Sequence, residues 1–197
     1  HKMDEYYLLT MKVAALFIFP LMAGVAIISQ PLLQLVLGVQ WLEAASLVTI
    51  LAFAYMLYPI HAINLNILQV KGRSDLFLKL EIIKKALGVS FILVTMHFGI
   101  YYMCLGLLLH SYLALLLNTY YTGKLTGFTV LRPITEIIPI WVITMVSCLI
   151  AKVIASNVIT KDIWQIVAMV AFAPVIYVGL IYLTQRKLFK IVLSIRK

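Results

Sequence analysis

Acidic residues are scarce in this chain: seven Asp+Glu against 16 Lys+Arg in 197 residues, a formal net charge of +9. Charged side chains make up 12% of the sequence and hydrophobic ones 64%, with a mean hydropathy of +1.07. A soluble domain carries about 25% charged residues. That shortage excludes a water-soluble globule, which could not cover so much apolar surface, and it excludes a disordered chain. The basic excess is too thinly spread to form a face that tracks phosphates, so a nucleic-acid partner is not expected. Cysteine is almost absent. Cys104 and Cys148 sit in apolar runs without a second Cys or His at ligand spacing, so they read as reduced, buried hydrophobes, and neither a disulfide scaffold nor a metal site is expected. There is no P-loop, no HExxH and no GxSxG. His110 and Ser111 are adjacent on a helix, so their side chains diverge and make no catalytic pair. No enzyme activity, catalytic residue or cofactor is expected. The opening His1-Lys2-Met3-Asp4-Glu5 carries acids and no apolar h-region, so it is not a signal peptide. A chain that begins on His reads as a piece of a longer protein, with a start at Met3 as the competing explanation.

What is abundant is long apolar sequence. The runs free of Asp, Glu, Lys and Arg are Val13–Leu42, Ala44–Val70, Ala86–Gly123, Ile137–Ala151 and Ile163–Gln185. A transmembrane helix needs about 20 apolar residues. The run Ala86–Gly123 is too long for one helix and reads as a hairpin broken at His97-Phe98-Gly99, its first helix starting near Leu76 with Lys79, Glu81, Lys84 and Lys85 at a wet end. The expected fold is all-α, a polytopic membrane bundle of six transmembrane helices at about 13–37, 44–69, 77–97, 100–122, 134–156 and 163–185. On this scheme 14 of the basic residues fall on one side and only Lys152 and Lys161 on the other. The positive-inside rule then places both termini in the cytoplasm. Proline recurs in the spans, at Pro20, Pro31, Pro59, Pro139 and Pro174. Each is either a functional kink or an ordinary feature of membrane helices. Glu43, Glu136 and Asp162 flank spans and Glu81 lies toward a cytoplasmic end, so no carboxylate is expected at mid-membrane and any ion coupling is expected elsewhere.

The second span holds the densest polarity: His61, Asn64, Asn66 and Gln69. His61/Asn64 and Asn66/Gln69 are i,i+3 pairs, and together the four cover an arc of roughly 200°. Amide and imidazole groups suit contact with sugar hydroxyls. They serve equally as hydrogen-bonding glue between helices. The turn Val70-Lys71-Gly72-Arg73-Ser74-Asp75 follows, with Gly72 allowing the reversal and Ser74 or Asp75 able to cap the next helix. Asp75/Lys79 and Glu81/Lys85 have favourable i,i+4 spacing. Lys71 and Arg73 fit either topology setting and contact with membrane-lipid headgroups or attraction of a pyrophosphate-linked lipid substrate.

The stretch from Tyr58-Pro59-Ile60-His61 through the VKGRSD turn to Ile83-Lys84-Lys85 resembles polysaccharide-transport flippases, the O-antigen, lipopolysaccharide and capsule exporters of the multidrug/oligosaccharidyl-lipid/polysaccharide superfamily. Pro20-Leu21, Pro31-Leu32, Leu37-Gly38, Trp41 and Tyr120-Tyr121-Thr122-Gly123-Lys124 resemble the same family's C-terminal lobe. The resemblance covers nearly the whole chain and weakens after Arg132. It implies a protein of the bacterial inner membrane that moves an undecaprenyl-pyrophosphate-linked glycan between leaflets by alternating access, without breaking a bond. Residues 1–125 would be the last four helices of the C-terminal lobe and 126–197 a C-terminal helix pair with a cytoplasmic basic tail. The partners implied are the lipid-linked oligosaccharide, membrane lipids and a missing N-terminal lobe of the same protein. On this reading His61, Asn64, Asn66 and Gln69 line the glycan path and Lys71 and Arg73 meet the headgroup. The alternatives are a drug/cation antiporter of the same superfamily and a membrane-embedded glycan polymerase or acyltransferase.

Overall fold

The computed structural model describes residues 2–126, 128–129, 131–159, 162–186 and 188. Seven α-helices account for nearly all of them: α1 Lys2–Leu37, α2 Leu42–Tyr55, α3 Tyr58–Val70, α4 Ser74–Thr95, α5 Ile100–Leu125, α6 Arg132–Val158 and α7 Asp162–Thr184. No strand occurs among the described residues. Lys161, Lys187, Lys190, Arg196 and Lys197 of the charge count, and with them most of the expected basic tail, lie outside the described residues. Five segments are long and apolar enough to cross a membrane: α1, α2 with α3, α5, α6 and α7. The sixth, α4, is long enough at 22 residues, and its first twelve carry Asp75, Lys79, Glu81, Lys84 and Lys85. Helices are the natural outcome here, because in lipid each backbone N–H and C=O must be satisfied within its own segment.

The boundaries follow local chemistry. Gly38, Gly72 and Gly99 have φ of 90°, 73° and 98°, a region that favours glycine, and each ends a helix. Gly99 makes the hairpin break between α4 and α5 where the sequence places it. The second expected span differs: it is two helices, interrupted at Met56-Leu57. Pro59 sits in the first turn of α3, where its missing N–H costs nothing, but it cannot continue α2 into α3 as one rod. The turn after α3 also differs in detail. Arg73 occupies the N-cap position of α4 without a side-chain cap, and Asp75 is engaged by Arg73 rather than by Lys79.

The chain forms two compact units. The first comprises the chain up to Ala15 together with Phe53–Ile137. Here α4 and α5 pack as an antiparallel hairpin with α3 against both. Small residues allow the close approach: a Cβ at Gly106 would stand 3.0 Å from Thr95 Cγ2, and one at Gly88 would stand 3.3 Å from His110 Nε2. The start of α1 is tied in by Tyr7 Oη, which donates to Asn64 Oδ1 at 2.6 Å, by Asp4 to Lys71 at 2.8 Å and by Lys12 to Glu136.

Aromatic residues mark the ends of α5. Tyr101 and Tyr102 pack edge to face at one end, with Phe98 beside them. Tyr120 and Tyr121 do the same at the other, with Lys124 Nζ 4.3 Å from the Tyr120 ring centre. Nineteen residues separate Tyr101 from Tyr120, about 28 Å at the helical rise, close to the roughly 30 Å hydrocarbon core of a bilayer. Such paired belts are the signature of a membrane-spanning helix, and they put His110 and Ser111 near mid-depth.

The second unit comprises Leu16–Ala52 and the chain from Ile138 onward. Ala155, Ala168 and Met169 form its buried cluster, with Ile27, Ile28 and Ile159 against it. Pro20 removes the N–H that would bond the Leu16 carbonyl. Tyr177 on α7 replaces it, its hydroxyl donating to Leu16 O at 2.8 Å. Farther along α1, Ser29 Oγ and Thr49 Oγ1 lie 3.0 Å apart, and Thr49 also donates to Ala26 O at 3.3 Å.

Candidate functional site

The first unit holds a cavity of about 670 Å³, lined by the end of α2 and by α3, α4 and α5. Its walls are mostly apolar, among them Leu65, Val89, Ile92 and Leu107. Into it project Tyr55, Tyr58, His61, Glu81, Lys84, Lys85, His110 and Ser111. Few convergent polar groups in an apolar cavity of this size are the usual form of a small-molecule site.

The interruption between α2 and α3 organises the polar wall. Near the break, the Ala54 carbonyl accepts a hydrogen bond from Ser111 Oγ at 2.7 Å. A carbonyl only accepts, so the one proton of the Ser111 hydroxyl is committed there. Ser111 Oγ must then accept from His61 Nε2, 3.3 Å away. That leaves His61 Nδ1 as the acceptor for Asn118 Nδ2, also at 3.3 Å. The chain Asn118 to His61 to Ser111 to Ala54 therefore has one direction throughout, with a neutral His61 protonated on Nε2. Asn118 is fully buried, and its Oδ1 has no hydrogen-bond partner among the described residues.

The opposite wall is ionic. Lys84 Nζ lies 2.5 Å from Glu81 Oε1, the lysine nearly buried and the glutamate partly so. His110 Nε2 donates to the Lys84 carbonyl at 2.8 Å, an approach that Gly88 permits. Because His110 is midway between the aromatic belts of α5, this contact sets Lys84 beside the middle of α5, with Glu81 one turn away along α4. The charged residues of α4 lie along its first twelve positions, Lys84 being the eleventh. Glu81 pairs with Lys84 and not, as its spacing suggested, with Lys85.

Of the six residues singled out in the sequence, only His61 lines the cavity. Asn64 is fully buried, accepting from Tyr7 and donating to Ile60 O at 2.9 Å. Asn66 and Gln69 are exposed and lie away from the cavity. The wide polar arc of the span thus resolves into three directions: cavity, helix interface and periphery. Lys71 bonds Asp4 and donates to Leu125 O at 3.0 Å. Arg73 meets Asp75 through Nε and Nη2, both at 2.9 Å. These hydrogen bonds hold the exposed Asp75 carboxyl, in the turn before the apolar part of α4, at about 2, below its usual 3.8. Sequence reasoning missed Glu81, Lys84, His110 and Ser111. The available signal was that ionisable residues inside a span are functional candidates by default.

Residues 1–46 match the model of a family described as polysaccharide biosynthesis protein. The match covers α1 and the turn into α2. No curated protein and no solved structure matches the chain. A likeness to polysaccharide biosynthesis proteins, carried by helices of membrane-spanning length, is compatible with polysaccharide export. No group of three or more His, Cys, Asp or Glu able to hold a metal occurs among the described residues.

Proposed function

We propose that this chain takes part in polysaccharide export, moving an undecaprenyl-diphosphate-linked glycan across the bacterial cytoplasmic membrane by alternating access, with both termini in the cytoplasm. The observation that carries the reading is the cavity at mid-depth of α5, whose polar groups stand among apolar walls. Imidazole, phenol and serine hydroxyls suit sugar hydroxyls, while the apolar walls suit a lipid. Discontinuous helices beside a mid-membrane cavity are the usual architecture of a transporter site, and the α2–α3 break borders this one. The 46 matched residues point to the same cell-surface chemistry. The chain acts without catalysis, since translocation breaks no bond. His61 faces the glycan, and Lys71 and Arg73 guide the headgroup to the membrane surface by exchanging their present carboxylate partners.

Deleting the gene separates this reading from its rivals. Loss of surface polysaccharide, with its lipid-linked precursor accumulating on the cytoplasmic leaflet, is expected. Loss of polysaccharide without that accumulation indicates a biosynthetic step such as polymerisation or acylation. Unchanged polysaccharide with increased sensitivity to cationic drugs indicates a drug antiporter.

A further inference from the structure

We propose that His61 and Asn118 form a reversible proton-binding site on the wall of the first unit's cavity: His61 takes a second proton at Nδ1, and the Asn118 amide turns over to hold it. The inference goes beyond the export reading and stands without it. In the present arrangement each group from Asn118 to the Ala54 carbonyl donates onward. His61 Nδ1 accepts from Asn118 Nδ2, and His61 Nε2 donates to Ser111 Oγ, both at 3.3 Å. The group left over is Asn118 Oδ1, which is fully buried and has no hydrogen-bond partner among the described residues. Buried acceptors are nearly always paired, so this orphan points to a second state that uses it. A donor is enough to fix the neutral ring. An acceptor on the same side chain is needed only when Nδ1 carries a proton.

The second state is one rotation away. A proton on Nδ1 would face Asn118 Nδ2, donor against donor. Turning the amide over exchanges two groups of nearly the same size and sets Oδ1 against the new N–H. Nε2 keeps its bond to Ser111, and Ser111 keeps the Ala54 carbonyl, so the rest of the chain stays in place. The new contact is charge-assisted and stronger than the neutral one it replaces. His61 is partly exposed and lines the cavity, whereas Asn118 does not line it, so the ring can exchange its proton with the cavity. The proton comes from hydronium there: an O–H bond breaks, the N–H bond forms, and water is left. The titratable groups on the same cavity are Tyr55 and Tyr58 around the break, Glu81, Lys84 and Lys85 on α4 and His110 on α5. Tyr7 on α1 is engaged with Asn64 instead. Glu81 and Lys84 cancel as a pair and Lys85 adds a positive charge, so no net negative charge on that wall holds the proton. The Asn118 amide is the partner that can.

The test uses the whole chain in phosphatidylcholine nanodiscs, isotope-labelled at the histidine and asparagine nitrogens and followed by NMR from roughly pH 8 to pH 3. The neutral His61 ring is expected to carry its proton on Nε2 and to become imidazolium on acidification. The coupling between His61 Nδ1 and Asn118 Nδ2 across their hydrogen bond should vanish with the same midpoint, as the amide turns. A ring that stays neutral throughout, a neutral ring protonated on Nδ1, or a coupling that survives the charging of His61 overturns the proposal. At the wild-type midpoint, Asn118→Leu is expected to lower the ratio of imidazolium to neutral ring by roughly tenfold, the effect of losing one hydrogen bond to a charged group. An unchanged or higher ratio in the folded variant overturns the proposal, and a change in thermal stability alone leaves Asn118 as a link between helices. If Asn118→Leu does not fold, Asn118→Asp supplies a fixed anionic acceptor. It is expected to raise the ratio by about tenfold or more, and an unchanged ratio overturns the proposal.

Discussion

Replacing Tyr177 by Phe removes one hydroxyl and exposes the dependence of α1 on its proline. Pro20 leaves Leu16 O without a helical donor, and Tyr177 supplies one at 2.8 Å from a residue only 6% exposed. An unsatisfied buried acceptor costs about 1–3 kcal/mol in soluble proteins. Hydrogen bonds between membrane helices average about 0.6 and reach about 1.7 kcal/mol, because alternative partners are usually at hand. Leu16 O has no alternative donor in its own helix, so the upper end applies and Tyr177→Phe should cost about 1.5 kcal/mol. Pro20→Ala restores an N–H within reach of Leu16 O. In that background the same Tyr177→Phe change should cost less than half as much, giving a coupling of about 1 kcal/mol in a double-mutant cycle. Unfolding in mixed micelles titrated with dodecyl sulfate measures all four proteins. Equal costs of Tyr177→Phe in both backgrounds would refute the reasoning, since the hydroxyl would then act through another contact, such as that with Thr144, and not through the carbonyl that Pro20 leaves open.

Further outcomes follow from other contacts. Gly106→Leu should splay the α4–α5 hairpin, with a loss of roughly 1–3 kcal/mol from overpacking against Thr95, measured by the same unfolding titration. Asn64→Leu should lower folded membrane protein by orphaning the Tyr7 hydroxyl, while Asn66→Leu leaves both level and transport unchanged; immunoblots beside a polysaccharide assay check both. A reporter fused after Gly72 should read cytoplasmic, and an outer-side signal would break the charge-based topology. The Arg73–Asp75 contact should persist through the physiological range. The carboxyl pKa is depressed in the folded state, so the contribution is complete above about 3.8 and disappears as pH falls through about 2. Carboxyl carbon NMR of Asp75 should show that low midpoint, and Arg73→Gln should move it upward.

The fold was legible where a rule acts locally. Apolar run length located the spans, and Gly72 and Gly99 marked reversals because few other residues take a positive φ. The interruption at Met56-Leu57 was not legible, although Pro59 signalled a disturbance. Its completion depends on Ser111, which reaches Ala54 O from 57 positions away. Asn64 has the same difficulty, since its partner Tyr7 is equally distant in sequence. The site was largely hidden for a different reason. Composition assigns the charged half of α4 to water. Only the pairing of Lys84 with the middle of α5, through His110, shows that Glu81 and Lys84 stand on the cavity wall.

The central claim is that the cavity in the first unit carries a lipid-linked glycan, and site-specific photocrosslinking in living cells tests it most directly. A photoreactive side chain is introduced at Val89 or Leu65 on the cavity wall and, as the control, at the exposed Asn66. Lipid-linked glycan should be captured from Val89 and Leu65 and not from Asn66. Capture from Asn66 equal to that from the cavity positions, or none from the cavity while the precursor is present in the membrane, would contradict the account.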